Sequence, residues 1–199
     1  MLNQKTLWLR TAAPVAVLAL SLTACGGSGG GDSTAKSSTS KLQDDKAESS
    51  RELATGESAT SPFKEDDGKV TYSVLAQKID VGTEADTKKM VDDPAKAKGF
   101  VPAVAHVKYT HKGGSVVSSY PSVGENVEIY ADGQRGTILI GAADDAPGCE
   151  SDTDIENWKK GQSHVLCETY MVPKGAKELA VHWAAEDDGE PYIWKFQNS

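Results

Sequence analysis

The chain has 199 residues, with 21 basic and 29 acidic side chains, a formal net charge of −8 and three cysteines. An acidic polypeptide is repelled by nucleic acid and by anionic lipid headgroups, so neither a nucleic-acid ligand nor a basic membrane-binding surface is expected. No phosphate-binding loop, dinucleotide fingerprint or Cys-x-x-Cys pair occurs, so no cofactor is expected.

At the N-terminus, Lys5 and Arg10 precede an uncharged apolar run from Ala12 to Leu20, which ends in Leu22-Thr23-Ala24-Cys25. The run is shorter than the about 20 apolar residues that span a bilayer. Basic start, short apolar run and small-residue site together mark an export signal, residues 1–24, to be removed. Leu-Thr-Ala-Cys resembles the lipobox of bacterial lipoproteins, whose cysteine thiol receives a diacylglycerol before a peptidase cuts just ahead of it. The resemblance implies that Cys25 becomes a lipid-bearing N-terminus on the extracytoplasmic face of the cell membrane. Two acyl chains suffice for stable attachment, each buried methylene adding about 0.8 kcal/mol. With Cys25 acylated, Cys149 and Cys167 remain. An oxidising compartment lets them pair as a disulfide; the alternative is two separate buried thiols.

In residues 25–62, Cys25 is followed by Gly-Gly-Ser-Gly-Gly-Gly and then by a stretch rich in Ser, Thr, Ala, Lys, Asp and Glu. Such a segment cannot bury enough apolar surface to offset its ordering entropy, and a disordered tether with a span of about 35 Å is expected. Gly26-x-Ser28-x-Gly30 mimics a hydrolase nucleophile elbow, but it lies in this tether with no strand before it and no helix after it.

Residues 63–199 hold nearly all the aromatic and branched side chains, enough for a single core. Period-two patterns dominate. Val70, Tyr72, Val74 and Ala76 alternate with Thr71, Ser73 and Gln77, and Ala103, Ala105, Val107 and Tyr109 with His106, Lys108 and Thr110. Residues 82–99 carry Asp93-Pro94 and read as a loop or one helical turn. Val127 and Ile129 share a face, Asp132-Gly133 signals a hairpin, and Thr137 to Ile140 reads as a short apolar strand. Val165, Cys167, Thr169 and Met171 read as one apolar face, opposite His164, Glu168 and Tyr170. Leu179, Val181 and Trp183 form another face, and Tyr192, Trp194 and Phe196 a last one. Seven or eight short strands separated by turn signals predict an all-β sandwich.

Three features resemble the immunoglobulin-like domain carried by many lipoproteins of Gram-positive bacteria, notably actinobacteria, and by secreted mycobacterial antigens. They are the strand Phe100 to Tyr109 with its Gly-Gly turn, the Asp-Gly hairpin, and Trp158-Lys-Lys-Gly-Gln-Ser163 followed by a strand ending in Val172-Pro-Lys-Gly175. The resemblance implies an immunoglobulin-like β-sandwich and no settled reaction. Cys149 and Cys167 are too close in sequence for the inter-sheet bridge of antibody domains; they are expected to staple the acidic loop to the strand holding Cys167.

Little catalytic chemistry is legible. His106 and His111 are an odd number of residues apart on one strand and point to opposite faces. His164 and His182, placed on neighbouring strands, could form a cross-strand metal pair. No carboxylate near Ser163-His164 completes a triad. The strongest charge feature is Asp144, Asp145, Glu150, Asp152, Asp154 and Glu156, a stretch without a base. Asp-x-Asp-x-Glu can present oxygens to Ca²⁺, or be a solvated acidic loop. Trp158 beside it either marks a ligand-binding rim or packs inward. The function expected is recognition, through residues 82–99 and 142–162. Asp152, Asp154, Glu156 and Trp158 are the candidate contacts, and the partner is an envelope protein or small ligand, cationic rather than anionic. Two other classes stay open: an envelope hydrolase or accessory enzyme, and a calcium- or metal-binding envelope protein.

Overall fold

A computed structural model describes residues 51–142, 146–186 and 189–198. The expected leader, Cys25 and the tether up to residue 50 lie outside the described residues, as do Asp144, Asp145, Asp187 and Asp188. In chain order the strands are β1 (Glu52–Leu53), β2 (Ala59–Glu65), β3 (Gly68–Val81), β4 (Phe100–Gly114), β5 (Val117–Ser119), β6 (Val127–Ala131), β7 (Gln134–Arg135), β8 (Thr137–Ile138), β9 (Glu156–Trp158), β10 (Ser163–Pro173), β11 (Glu178–Trp183) and β12 (Tyr192–Gln197). Two five-stranded sheets have the orders β1-β12-β11-β6-β7 and β2-β3-β4-β10-β8, and β5 pairs with β9 as a separate ribbon. β1 runs parallel to β12; the other pairings are antiparallel.

The alternating patterns place both inner faces. Val70, Tyr72, Val74 and Ala76 of β3 and Val107 and Tyr109 of β4 are fully buried, as are Val181 and Trp183 of β11 on the opposite sheet. The Trp183 ring lies 6.3 Å from both Phe63 of β2 and Tyr109 of β4, so the sheets share one core and form an all-β sandwich. Burying a large side chain of this kind stabilises by about 1.5–3 kcal/mol. The Asp132-Gly133 hairpin forms as expected: Ala131 faces Gln134, and both turn residues have positive φ, 47° and 79°, the geometry that Asp-Gly favours. The Asp132 carboxylate also accepts the backbone N–H groups of Lys177 and Glu178, tying the hairpin to β11. At the end of β4 the chain needs a true glycine. Gly114 sits at φ 106°, where a Cβ would lie 2.2 Å from the Lys69 carbonyl oxygen.

Four expectations need correction. Residues 51–62, assigned to the tether, contribute β1 and half of β2; the buried positions of β2 are Ala59, Ser61, Phe63 and Glu65, an alternation too polar to read as core. Residues 82–99 hold an α-helix, α1 (Glu84–Met90), and a 3₁₀ turn, Pro94–Ala97. The helix starts at a reciprocal Thr83–Asp86 capping box, which satisfies donors at the exposed end. The strand expected at Thr137 to Ile140 stops at Ile138, and Ile140 is 90% exposed. The faces of β10 are reversed: Leu166, Tyr170 and Val172 are the buried partners of Val107, Ala103 and Val101, while Cys167 faces outward opposite His106. The outward face looked like core because the loop carrying Cys149 covers it. Tyr170 tolerates burial because its hydroxyl donates to the Val127 carbonyl at 2.8 Å.

Candidate functional site: an acidic cleft beside a disulfide

Cys149 and Cys167 form the expected disulfide, which clips the loop after β8 onto β10. A second clamp lies next to it. Glu150 donates its backbone N–H to the Val165 carbonyl at 2.8 Å. Its carboxylate accepts the Val165 N–H at 2.9 Å and meets His164 Nδ1 at 2.7 Å. Burial pushes the Glu150 carboxyl up, but the His164 side chain and the Val165 N–H outweigh it and hold the group below the usual range. A carboxylate thus does reach His164, from a loop 14 residues upstream that β-strand spacing could not place there. Ser163 is not part of that pair: its hydroxyl lies 2.8 Å from the Thr110 hydroxyl on the neighbouring strand.

Between this clipped loop, β8 and the segment before β6 lies an open cleft of about 390 Å³. Its wall carries Glu125, Glu150, Asp152 and Glu168, and Ile138, Ile140, Leu166 and the disulfide supply apolar surface. None of the described residues lining it is lysine or arginine. A second lobe of about 380 Å³ shares Glu125 and Ile138 and continues toward Tyr130, Arg135 and His182. In it the His182 ring stacks on Tyr130 at 4.0 Å, and Glu128 joins the Tyr130 hydroxyl to Arg135. Burial pushes the His182 imidazole below its ordinary value. A third, more apolar hollow of about 360 Å³ lies where residues 82–99 and the loop after β8 meet, with Val81, Met90, Pro102 and Pro147 among its walls.

The acidic candidates divide. Asp152 opens on the main cleft, whereas Asp154 and Glu156 are exposed and outside it. Trp158 is not a rim residue; it is fully buried. Its ring packs 5.0 Å from Tyr72 and 4.8 Å from His164, and its indole N–H donates to the Gln162 carbonyl. That carbonyl also accepts the His111 N–H, so Trp158-Lys-Lys-Gly-Gln-Ser163 is a turn folded over the end of β4. The proposed His164–His182 pair does not form, because the two residues lie on different sheets. Among the described residues, a convergence of three metal-type ligands within 4.8 Å occurs at His106, Cys149 and Cys167, not among the acidic residues.

No known family model matches the sequence, and no curated protein matches it. Two solved structures overlap it in part. One is a Staphylococcus aureus protein provisionally named a lipoprotein, 9% identical, with a TM-score of 0.44 over 70% of this chain and 93% of that one. The other is the yjhA protein of Bacillus subtilis, 10% identical, with a TM-score of 0.43 over 71% of this chain and 97% of that one. Among the described residues no helix is long and apolar enough to cross a membrane.

Proposed function

We propose that the protein is a lipoprotein held on the extracytoplasmic face of the cell membrane by acyl chains on Cys25, and that its sandwich is an immunoglobulin-like binding module. Its ligand is cationic and partly apolar, such as a lysine- or arginine-bearing segment of an envelope protein. The acidic cleft carries the binding part of this reading. Four carboxylate side chains border it with no lysine or arginine among the described lining, and Ile138, Ile140 and Leu166 add apolar surface. One covalent clamp, the disulfide, and one hydrogen-bonded clamp, at Glu150, hold one wall, so binding costs less ordering entropy. The leader and Leu-Thr-Ala-Cys25 support the anchor. Strand order supports the immunoglobulin-like part. With β1, β2, β5, β7 and β9 set aside, β3-β4-β10-β8 follows the A-B-E-D order and β12-β11-β6 the G-F-C order of that fold.

Binding is tested with a short peptide carrying arginine and leucine, titrated into the isotopically labelled protein. Shift changes should centre on Ile138, Leu166 and Cys167 and weaken with added salt. A triple variant, Glu125→Gln, Asp152→Asn and Glu168→Gln, should bind roughly tenfold more weakly or worse. Equal binding by the triple variant, or shifts scattered over the surface, removes the cleft from the function. The anchor is tested separately. Intact mass of the membrane-extracted protein should show loss of residues 1–24 and acyl mass on Cys25, and Cys25→Ser should abolish membrane retention. A soluble product with an unmodified Cys25 thiol refutes the lipoprotein assignment.

A further inference from the structure

We infer that the Cys149–Cys167 disulfide is the closed form of a zinc site, opened by reduction, in which His106 is the third protein ligand. The imidazole of His106 is buried at 2% exposure against the disulfide. Its Nδ1 lies 3.4 Å from the Cys167 sulfur and 3.6 Å from the Cys149 sulfur. Zinc bound at about 2.3 Å to sulfur and 2.0–2.1 Å to nitrogen, with tetrahedral angles, sets its sulfur and nitrogen ligands about 3.5–3.6 Å apart. The two nitrogen–sulfur separations already match, so only the sulfurs have to part once their bond is broken. Cys149 sits on a loop rather than a strand, one residue ahead of the Glu150 clamp.

The other side of the ring carries the second support. His106 Nε2 lies 2.9 Å from an Asp80 carboxylate oxygen. The contact is a close charge approach without hydrogen-bond alignment; a carboxylate beside the far nitrogen favours the ring proton on that side, which leaves the Nδ1 lone pair for a metal held between the sulfurs. This contact exists because of a β-bulge. The β3–β4 register shifts between Ala76 and Lys78, so Lys78 and Asp80 face outward beside His106. Uninterrupted alternation from the buried Ala76 would turn both of them into the core. The bulge therefore aims Asp80 at the one histidine that touches the disulfide.

The chemistry balances without any group beyond a dithiol reductant and the ion. A dithiol donates two electrons and two protons to the disulfide and becomes a disulfide itself, leaving Cys149 and Cys167 as thiols. Zn²⁺ then displaces the two thiol protons and takes the His106 lone pair. Both cysteines also border the acidic cleft, so a water molecule can enter from there as the fourth ligand. In oxidising surroundings the bridge is intact and the site is shut.

The test uses the full chain carrying Cys25→Ser, so that two thiols are present after reduction. The protein is reduced, freed of reductant without air and titrated with Co²⁺, then with Zn²⁺. One Co²⁺ per chain is expected, with thiolate-to-cobalt charge-transfer bands and the visible bands of tetrahedral cobalt, displaced by one equivalent of Zn²⁺. The oxidised protein should show neither band. His106→Ala should weaken the site at least a hundredfold while both thiols still react with an alkylating probe. Asp80→Asn changes an exposed residue and should leave the fold intact, which circular dichroism checks, while weakening Co²⁺ about 10–100-fold. Absence of tetrahedral Co²⁺ in the reduced protein overturns the inference, whether that protein stays folded or unfolds without metal-driven recovery. So does wild-type affinity in both variants.

Discussion

Trp158→Ala is expected to lower the unfolding free energy by about 3–5 kcal/mol, the range for truncating a fully buried aromatic. The indole has no exposed surface and fills the space between Tyr72, His111 and His164. Its N–H holds the Gln162 carbonyl at 3.2 Å, so the variant also loosens the turn that carries Lys159 to Gln162. Urea unfolding followed by circular dichroism measures the loss. A ligand titrated into the cleft at a temperature where the variant stays folded should bind as it does to the parent. A loss of stability below about 1 kcal/mol, outside the expected range, combined with lost binding, would restore Trp158 to the rim of the site.

The second large effect is expected at Glu65. This carboxylate is 3% exposed and accepts three hydrogen bonds at 2.8 Å, from the Tyr72 hydroxyl, the Ser122 N–H and the Ser122 hydroxyl. It joins the end of β2 to the segment between β5 and β6, which otherwise has little regular structure. Burial and the adjacent Glu65 carboxylate push the Tyr72 hydroxyl far above its ordinary range, so Tyr72 remains the proton donor. Glu65→Ala leaves those donors unanswered in the core and should cost roughly 3–5 kcal/mol. A double-mutant cycle with Tyr72→Phe isolates the pair. Removing the hydroxyl as well should recover part of the loss, with a coupling of about 1–2 kcal/mol. Strictly additive effects would show that the two groups do not support one another.

What was legible in the sequence was local. Asp132-Gly133 carries its turn in two residues, and Leu179, Val181 and Trp183 carry their face in a spacing of two. What stayed hidden depends on partners far along the chain. Glu65 meets Ser122 across 57 residues, and nothing around it marks a buried acid. Asp67 accepts the Ser118 N–H at 2.7 Å across 51 residues. The outer face of β10 is apolar because a disulfide-linked loop covers it, so composition pointed to the wrong side. For the site, the acidic loop and the cysteine pairing were visible. The pairing of Glu150 with His164 and the turn of Asp80 toward His106 were not, since one needs the loop path and the other a bulge.

All four margins of the two five-stranded sheets are blunted. β1, β7 and β8 are two residues long, and the longer β2 carries Pro62, which has no N–H to offer, and an exposed Lys64. Long, flat, unpaired margins recruit strands from neighbouring molecules, and short ones interrupted by proline or lysine do not. Copies of this domain crowded together at high local concentration should therefore remain separate particles instead of joining into continuous sheets, leaving contact between them to loops and side chains.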